Sequence, residues 1–158
     1  MKKLKIYLDT SVISYLDQQD APDKMADTHL LWSQLPGLAS EVVISDITID
    51  ELEGCPEPKL RYLRAQLHKI SYADVDKTEE AERLGELYFS VGGLPPKSRV
   101  DAMHIAIATA CRCDAIVSWN FKHIVNLRAM TAVEAVNVRE GYAPLRILSP
   151  TMLLEGAE

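Results

Sequence analysis

Short apolar runs alternate along the chain with longer stretches in which apolar residues recur every three or four positions. The short runs predict β-strands, and the unbroken apolar run at residues 42–44 predicts a buried one. They cover residues 4–8, 42–44, 115–118 and 145–148, and residues 70–72 form a weaker candidate. Strands that alternate with helices are typical of βαβ units. The pattern therefore predicts an α/β fold with a mainly parallel sheet.

The periodic stretches predict the helices between these strands. The clearest helix covers residues 99–112, where Ile105 and Ala108 follow Asp101 at helical spacing. A helix that follows Pro22 should stop at Pro36-Gly37, since both residues disfavour a helix interior. The other predicted helices begin after Asp9 or cover residues 47–53, 59–69 and 78–91, and residues 54–58 and 92–96 predict loops.

Length and composition predict one globular domain. The 158 residues, 47% hydrophobic and 25% charged, fit a single domain over residues 1–150 followed by a C-terminal tail over residues 151–158. No apolar run is long enough to span a bilayer, and the N-terminal apolar stretch ends at Asp9, too early for a secretory signal. Three cysteines without a Cys-x-x-Cys pair argue against a disulfide framework or a zinc site. We therefore expect a cytoplasmic protein that does not contact a membrane.

The formal net charge of −6 argues against a general nucleic-acid coat protein, which would usually be basic. It argues less against an enzyme whose metal ions neutralise a cluster of acids, because part of the net charge is then the site itself.

Several polar residues follow the predicted strands directly. Asp9 follows the first strand, Asp46 the second, and Asn120 lies two residues beyond Ser118. In open parallel sheets, ligands bind outside the carboxyl ends of the strands. Two further acids, Glu51 and Asp101, lie on helices that begin near the same edge. Together these residues predict a site for a hard cation such as Mg²⁺.

Each of these residues also has an ordinary structural interpretation. Asp101 in a first helical turn is explained equally well as a helix cap or as a metal ligand. Glu51 with Thr48 matches a capping box, and we interpret Asp46 as an N-cap. Asp9 at a strand end could begin a turn.

The remaining polar residues receive simpler interpretations. We interpret His104 as a helix histidine whose hydrogen bonds are satisfied, and Cys111 and Cys113 as buried thiols. Lys122, His123 and Arg99 are the basic residues closest in sequence to the predicted edge. If the substrate were a nucleic acid, Lys122 and His123 could contact its backbone, whereas we interpret Arg99 as ordinary surface charge.

Four segments, taken in order, resemble the PIN-domain family. Tyr7-Leu8-Asp9-Thr10-Ser11 is similar to the family's first strand and first acid, and residues 44–52 are similar to its second strand and helix-borne Glu. Residues 101–106 resemble its third acid on an alanine-rich helix, and residues 114–124 resemble its last motif. The resemblance covers most of the chain and implies a three-layer α/β/α fold.

The resemblance implies a metal-dependent ribonuclease that uses Mg²⁺ or Mn²⁺. Asp9, Glu51 and Asp101 would be the metal-binding acids. Asn120 stands where the family often has an Asp, so it would position a water or a phosphate oxygen with no negative charge. Many bacterial members are VapC-like toxins, so a cognate antitoxin and a homodimer are the partners it implies.

Three alternatives remain. A catalytically weak PIN-like scaffold could bind RNA or a protein without cutting. A phosphoacceptor domain needs paired acids after the first strand, and a haloacid-dehalogenase-like phosphatase needs an Asp where Ser11 stands, so the sequence disfavours both. Ser11 could instead donate a hydrogen bond to a phosphate of the RNA.

Overall fold

The computed structural model of the protein describes residues 2–156. Its strands are β1 (Leu4–Leu8), β2 (Ala39–Ser45), β3 (Ala73–Val75), β4 (Ala115–Val117) and β5 (Arg146–Leu148). They form one sheet of order β3-β2-β1-β4-β5 in which every pair of neighbours is parallel. The strands at positions 4–8, 42–44, 115–118 and 145–148 are thus found close to where the apolar runs predict them.

The helices of the described segment connect these strands. They are α1 (Thr10–Ser14), α2 (Pro22–Leu38), α3 (Asp46–Glu53), α4 (Lys59–Leu67), α5 (Glu79–Ser90), α6 (Arg99–Ala110), α7 (Leu127–Arg139) and α8 (Pro150–Gly156), with short 3₁₀ turns at Tyr15–Asp17 and Pro96–Ser98. None of the helices within residues 2–156 is both long and apolar enough to cross a membrane.

Two hydrophobic cores cover the two faces of the sheet. Successive strand side chains point to opposite faces, so Ile6 and Leu8 enter one core and Tyr7 enters the other. The first core is completed by α1, α2, α3, α4 and α8, and the second by α5, α6 and α7. This arrangement confirms the predicted three-layer α/β/α fold.

Helix α2 does not stop at Pro36-Gly37 as predicted, and continues to Leu38. A proline this close to a helix end removes a single hydrogen bond. The exposed end is then satisfied from outside the helix, because the Lys3 ammonium donates to the Pro36 carbonyl over 2.8 Å. The weak strand prediction at residues 70–72 is wrong by three positions, since β3 begins at Ala73.

Two helices occupy segments without a predicted helix. Helix α7 presents Ala129, Val133 and Val136 to the second core at helical spacing. Residues 151–156, assigned to a C-terminal tail, belong to α8 and bury Leu153 and Leu154 in the first core. Residues 157 and 158 of that tail lie outside the described residues.

Candidate active site

The strand order places a ligand site between β1 and β4. From β1 the chain moves to β2 and β3 on one side, and later to β4 and β5 on the other. The crevice outside the strand ends at such a reversal is where open parallel sheets bind their ligands. Asp9 follows β1 and Ser118 follows β4, so both stand at this point.

Asp9 is a buried carboxylate surrounded by neutral hydrogen-bond donors. It is 3% exposed. Its Oδ1 accepts from the Ser11 hydroxyl at 2.6 Å and from the Val12 amide at 3.2 Å, and its Oδ2 accepts from the Ser118 hydroxyl at 2.6 Å. Burial raises the pKa of Asp9, and these bonds with a positive charge on His104 oppose the rise only in part. The site therefore holds a carboxyl group whose charge lacks a directly bonded cation.

Glu51 does not cap its helix, and its carboxylate contacts Thr10 and His104 instead. The N-cap of α3 is Ser45, whose hydroxyl accepts from the Thr48 amide, so the capping-box interpretation is wrong. The Glu51 Oε1 instead accepts from the Thr10 hydroxyl at 2.6 Å and lies 2.6 Å from His104 Nε2. Burial alone would raise the pKa of Glu51, but the bonds from His104 and Thr10 outweigh it and lower the pKa.

His104 connects Glu51 to the buried interior. Its ring is 2% exposed, and its Nδ1 lies 2.6 Å from the Tyr7 hydroxyl, which in turn lies 2.6 Å from the Ser45 hydroxyl. One assignment satisfies every donor: Ser45 donates to Tyr7, Tyr7 donates to Nδ1, and Nε2–H donates to Glu51. The expectation of a histidine with satisfied hydrogen bonds fits this geometry. The sequence did not indicate that Glu51 is one of its partners.

Asp101 lies in the first turn of α6, where its carboxylate faces His123. The Asp101 Oδ2 is 3.0 Å from His123 Nδ1, and the two side chains are 21% and 20% exposed. Burial raises the pKa of Asp101, while the hydrogen bond and charge of His123 and the charge of His104 oppose the rise. The charge of Glu51 raises the pKa of Asp101 further.

Asn120 shapes the loop after β4 and links it to Asp9. Its side-chain Oδ1 accepts from the His123 amide, and its carbonyl accepts from the amides of Ile124 and Val125. The backbone amide of Asn120 donates to the Ser118 hydroxyl, and that hydroxyl donates to Asp9. The amide side chain is thus already used by the loop in which it lies.

Ser11 also supports the acid. Its hydroxyl proton points to Asp9, and its oxygen accepts from the Trp119 amide at 2.9 Å. In this structure Ser11 therefore positions Asp9, and a role towards phosphate stays a prediction. Lys122 is exposed and stands next to His123 at the outer edge.

His104 is a common electrostatic neighbour of Asp9, Glu51 and Asp101, because its interaction acts to lower the pKa of each of these carboxyl groups. Within residues 2–156, however, no three His, Cys, Asp or Glu side chains are arranged as a formed metal site. Asp46 does not join them, and it is not an N-cap: it accepts from the amides of Ile47 and Lys77.

Sequence reasoning missed Thr10, Ser118 and His104 as members of the site. Ser118 carried a signal, since it directly follows a buried strand in the same way as Asp9. His104 follows Asp101 by one helical turn, which places both on neighbouring positions of α6. Thr10 carried no signal beyond its place beside Asp9.

Comparison with known proteins supports the fold through structure alone. No protein-family model matches the chain, and no curated protein matches it in sequence. VapC20 from Mycobacterium tuberculosis, a toxin that cleaves the sarcin-ricin loop, superposes with a TM-score of 0.58 at 14% identity, over 90% of this chain and 99% of its own. VapBC2 from Rickettsia felis, crystallised with a DNA fragment from its promoter, gives 0.53 at 16% identity, over 91% and 97%.

These similarities define the class of fold. The chain has a PIN-like α/β/α fold, and the resemblance inferred from its motifs is confirmed at that level. More particularly, the fold is that of VapC proteins, matched over nearly the whole of both chains.

Proposed function

We propose that the protein is a metal-dependent endoribonuclease that hydrolyses RNA phosphodiester bonds at Asp9, Glu51 and Asp101. The observation that carries the proposal is the state of Asp9, a buried carboxylate at the switch point of the sheet without a bonded cation. A buried carboxylate without a cationic partner retains part of its desolvation cost even when neutral groups donate hydrogen bonds to it. A fold that keeps such a charge gains stability when a cation binds there.

The donor set suits Mg²⁺ or Mn²⁺. Both ions prefer carboxylate, carbonyl and water oxygens, and Mg²⁺ keeps several of its waters, so a few carboxylates suffice. When bound, the ion would lower the pKa of a water and neutralise charge on the scissile phosphate.

The residues of the site have separate roles in this proposal. Asp9 and Asp101 would hold the metal directly, and Glu51 directly or through water. Ser11 and Ser118 keep the Asp9 carboxylate in place through its two oxygens. His104 and Thr10 hold Glu51 ionised. Asn120 fixes the loop that carries His123 beside Asp101.

The substrate would be single-stranded or looped RNA, since the edge of a small sheet cannot read the interior of a duplex. We further propose that the chain is the toxin of a toxin–antitoxin pair, with a cognate antitoxin and a homodimeric state. The support for this toxin proposal is the fold of the chain, which is similar to the folds of VapC20 and VapBC2. A cytoplasmic location also remains a prediction.

A cleavage assay tests the nuclease. The purified protein is incubated with a pool of labelled structured and unstructured RNAs in Mn²⁺, Mg²⁺ or EDTA, beside the variants Asp101→Asn and Asp50→Asn. Asp50 is an exposed acid next to Glu51, so its variant controls for the same change in net charge. We expect metal-dependent cleavage that Asp101→Asn abolishes and Asp50→Asn retains.

A calorimetric Mn²⁺ titration of the same samples separates the nuclease from the non-cutting scaffold. A wild type that cleaves nothing and binds no Mn²⁺ would contradict the catalytic proposal and favour the scaffold. Mn²⁺ binding that Asp9→Asn abolishes, without cleavage, would point to an RNA that is missing from the pool.

A further inference from the structure

A cleft of about 350 Å³ is lined in part by His123, the residue that contacts Asp101. Its walls come from three segments that meet there: the loop before α6, the loop after β4 and the first turn of α7. The lining residues are Gly93, Pro95, Lys97, Lys122, His123, Asn126 and Arg128. Three of them are cationic, and none carries a carboxylate. In a chain with a net charge of −6, such a cleft is a local exception.

The three cations of this basic cleft, Lys97, Lys122 and Arg128, are free to bind an anion. All three are exposed, and none forms an ion pair with an acid of the described segment. Arg99 offers a contrast, because Glu86 binds its guanidinium at 2.6 Å. Like charges held around one cleft repel one another, so an anion between them relieves an unfavourable arrangement.

The backbone adds to the positive potential of the basic cleft. Arg128 lies in the first turn of α7, a helix of 13 residues capped by Asn126. The first amides of a helix have no acceptor within the helix, and the helix dipole is positive at that end. The N-terminus of α7 therefore adds to the positive potential that Lys97, Lys122 and Arg128 create in the cleft.

The walls of the cleft are held together by a close backbone approach. A Cβ at Gly93 would overlap the methyl group of Ala132 and lie 3.1 Å from the Arg128 carbonyl. The loop before α6 therefore packs directly on α7, so the segments that carry Lys97 and Arg128 are held together at the cleft. His123 belongs to both places, since it lines the cleft and contacts Asp101 at 3.0 Å.

We propose that the basic cleft binds backbone phosphates of the RNA on one side of the scissile bond. This inference rests on the proposed nuclease function. Three carboxylates repel a polyanion, so the RNA needs an adjacent surface that attracts it. The basic cleft supplies that surface, and His123 connects it to Asp101. Phosphate contacts position a strand without reading its sequence, so the cleft sets affinity and register and leaves sequence choice to other contacts.

The test measures binding without cleavage. A fluorescent mixed-sequence 12-nucleotide single-stranded RNA is titrated with the protein in EDTA at several salt concentrations. The variant Lys97→Gln/Lys122→Gln/Arg128→Gln is compared with the control Lys69→Gln/Arg112→Gln/Arg146→Gln. The control removes the same charge from exposed cations that precede or begin β3, β4 and β5, at the opposite edge of the sheet.

We expect the cleft variant to bind roughly tenfold more weakly at 50 mM salt, and its slope of log affinity against log salt to fall by about 2, since each phosphate contact to a single strand contributes about 0.7. The control should stay within about twofold of the wild type. Equal losses in both variants, an unchanged cleft variant, or a wild type that does not bind would each overturn the proposal.

Two further arms separate the explanations. Poly-glutamate of matched charge should compete much less than the RNA; equal competition would assign the basic cleft to an acidic polypeptide and overturn the RNA assignment. Cleavage assays on the same variants should show a raised KM with little change in kcat. RNA cleavage by a protein whose cleft variant binds RNA as tightly as the wild type would refute the cleft proposal alone. RNA binding at the cleft by a protein that neither cleaves RNA nor binds Mn²⁺ would refute the nuclease proposal alone.

Discussion

The Glu51 carboxylate and the His104 imidazole form a 2.6 Å contact between helices α3 and α6, on the face of the sheet that also buries Tyr7. The contact ties a half-exposed acid of the site to a buried ring with a second partner inside the core. Glu51 is therefore held in one position by the interior of the protein rather than by its own helix.

Replacing His104 should destabilise the protein. His104→Ala removes both hydrogen bonds of the ring and leaves a cavity beside the buried Tyr7 hydroxyl, so we expect a loss of about 2–4 kcal/mol of unfolding free energy. Urea denaturation measures it. The matched control is His68→Ala, an exposed histidine at the end of α4, which should change stability by less than about 0.5 kcal/mol. A His104→Ala variant as stable as this control would show that the network contributes little.

The buried charge of Asp9 should appear as a pH dependence of stability. Its folded pKa is raised by burial, so its contribution is fully present below about pH 4, the ordinary range of an Asp, and is lost as pH rises through the folded pKa. In EDTA we therefore expect the wild type to lose stability relative to Asp9→Asn as pH rises from 4 to 8. Denaturation at several pH values measures the difference. Parallel curves for the two proteins would contradict a raised pKa.

Divalent cations should stabilise the folded protein. Ligand that binds only the folded state adds about 2.7 kcal/mol at one hundred times its dissociation constant. We expect Mn²⁺ to raise the melting temperature of the wild type and of Asp50→Asn, and to raise that of Asp9→Asn much less. Asn120→Asp keeps an acceptor for the His123 amide and adds a charge, so it should strengthen the Mn²⁺ effect. Equal shifts in all four proteins would place the ion elsewhere.

The two glycines Gly93 and Gly37 should respond to alanine in opposite ways. An added Cβ at Gly93 would overlap Ala132, so Gly93→Ala should cost about 1–3 kcal/mol. Gly37 lies in helix α2, where nothing stands within 4 Å of an added Cβ, so Gly37→Ala should stabilise by about 0.5–1 kcal/mol. Thermal denaturation compares them. A neutral Gly93→Ala would show that the loop before α6 moves freely from α7.

Some helices, strands and contacts could be predicted from the sequence and others could not, because a sequence pattern reports only on residues that are close together along the chain. Large apolar residues mark β1 and α6, because burial on both faces leaves few polar positions in their sequences. Helix α7 escaped prediction since its core contacts come from small residues, Ala129, Ala132 and Val133, between exposed apolar ones such as Leu127 and Val138. The capping-box reading of Glu51 failed because a local motif cannot reveal a partner 53 residues away.

The sequence alone determined that this is a parallel α/β protein, with Asp9 at the end of the first strand and Asp101 near the start of a buried helix. Those features depend on short-range patterns of burial. Only the tertiary structure decided that β4 pairs with β1, which brings Ser118 to Asp9 across 109 residues, and that His104 meets Glu51. Strand order and helix contacts depend on how the layers pack against one another, and no local pattern specifies that packing.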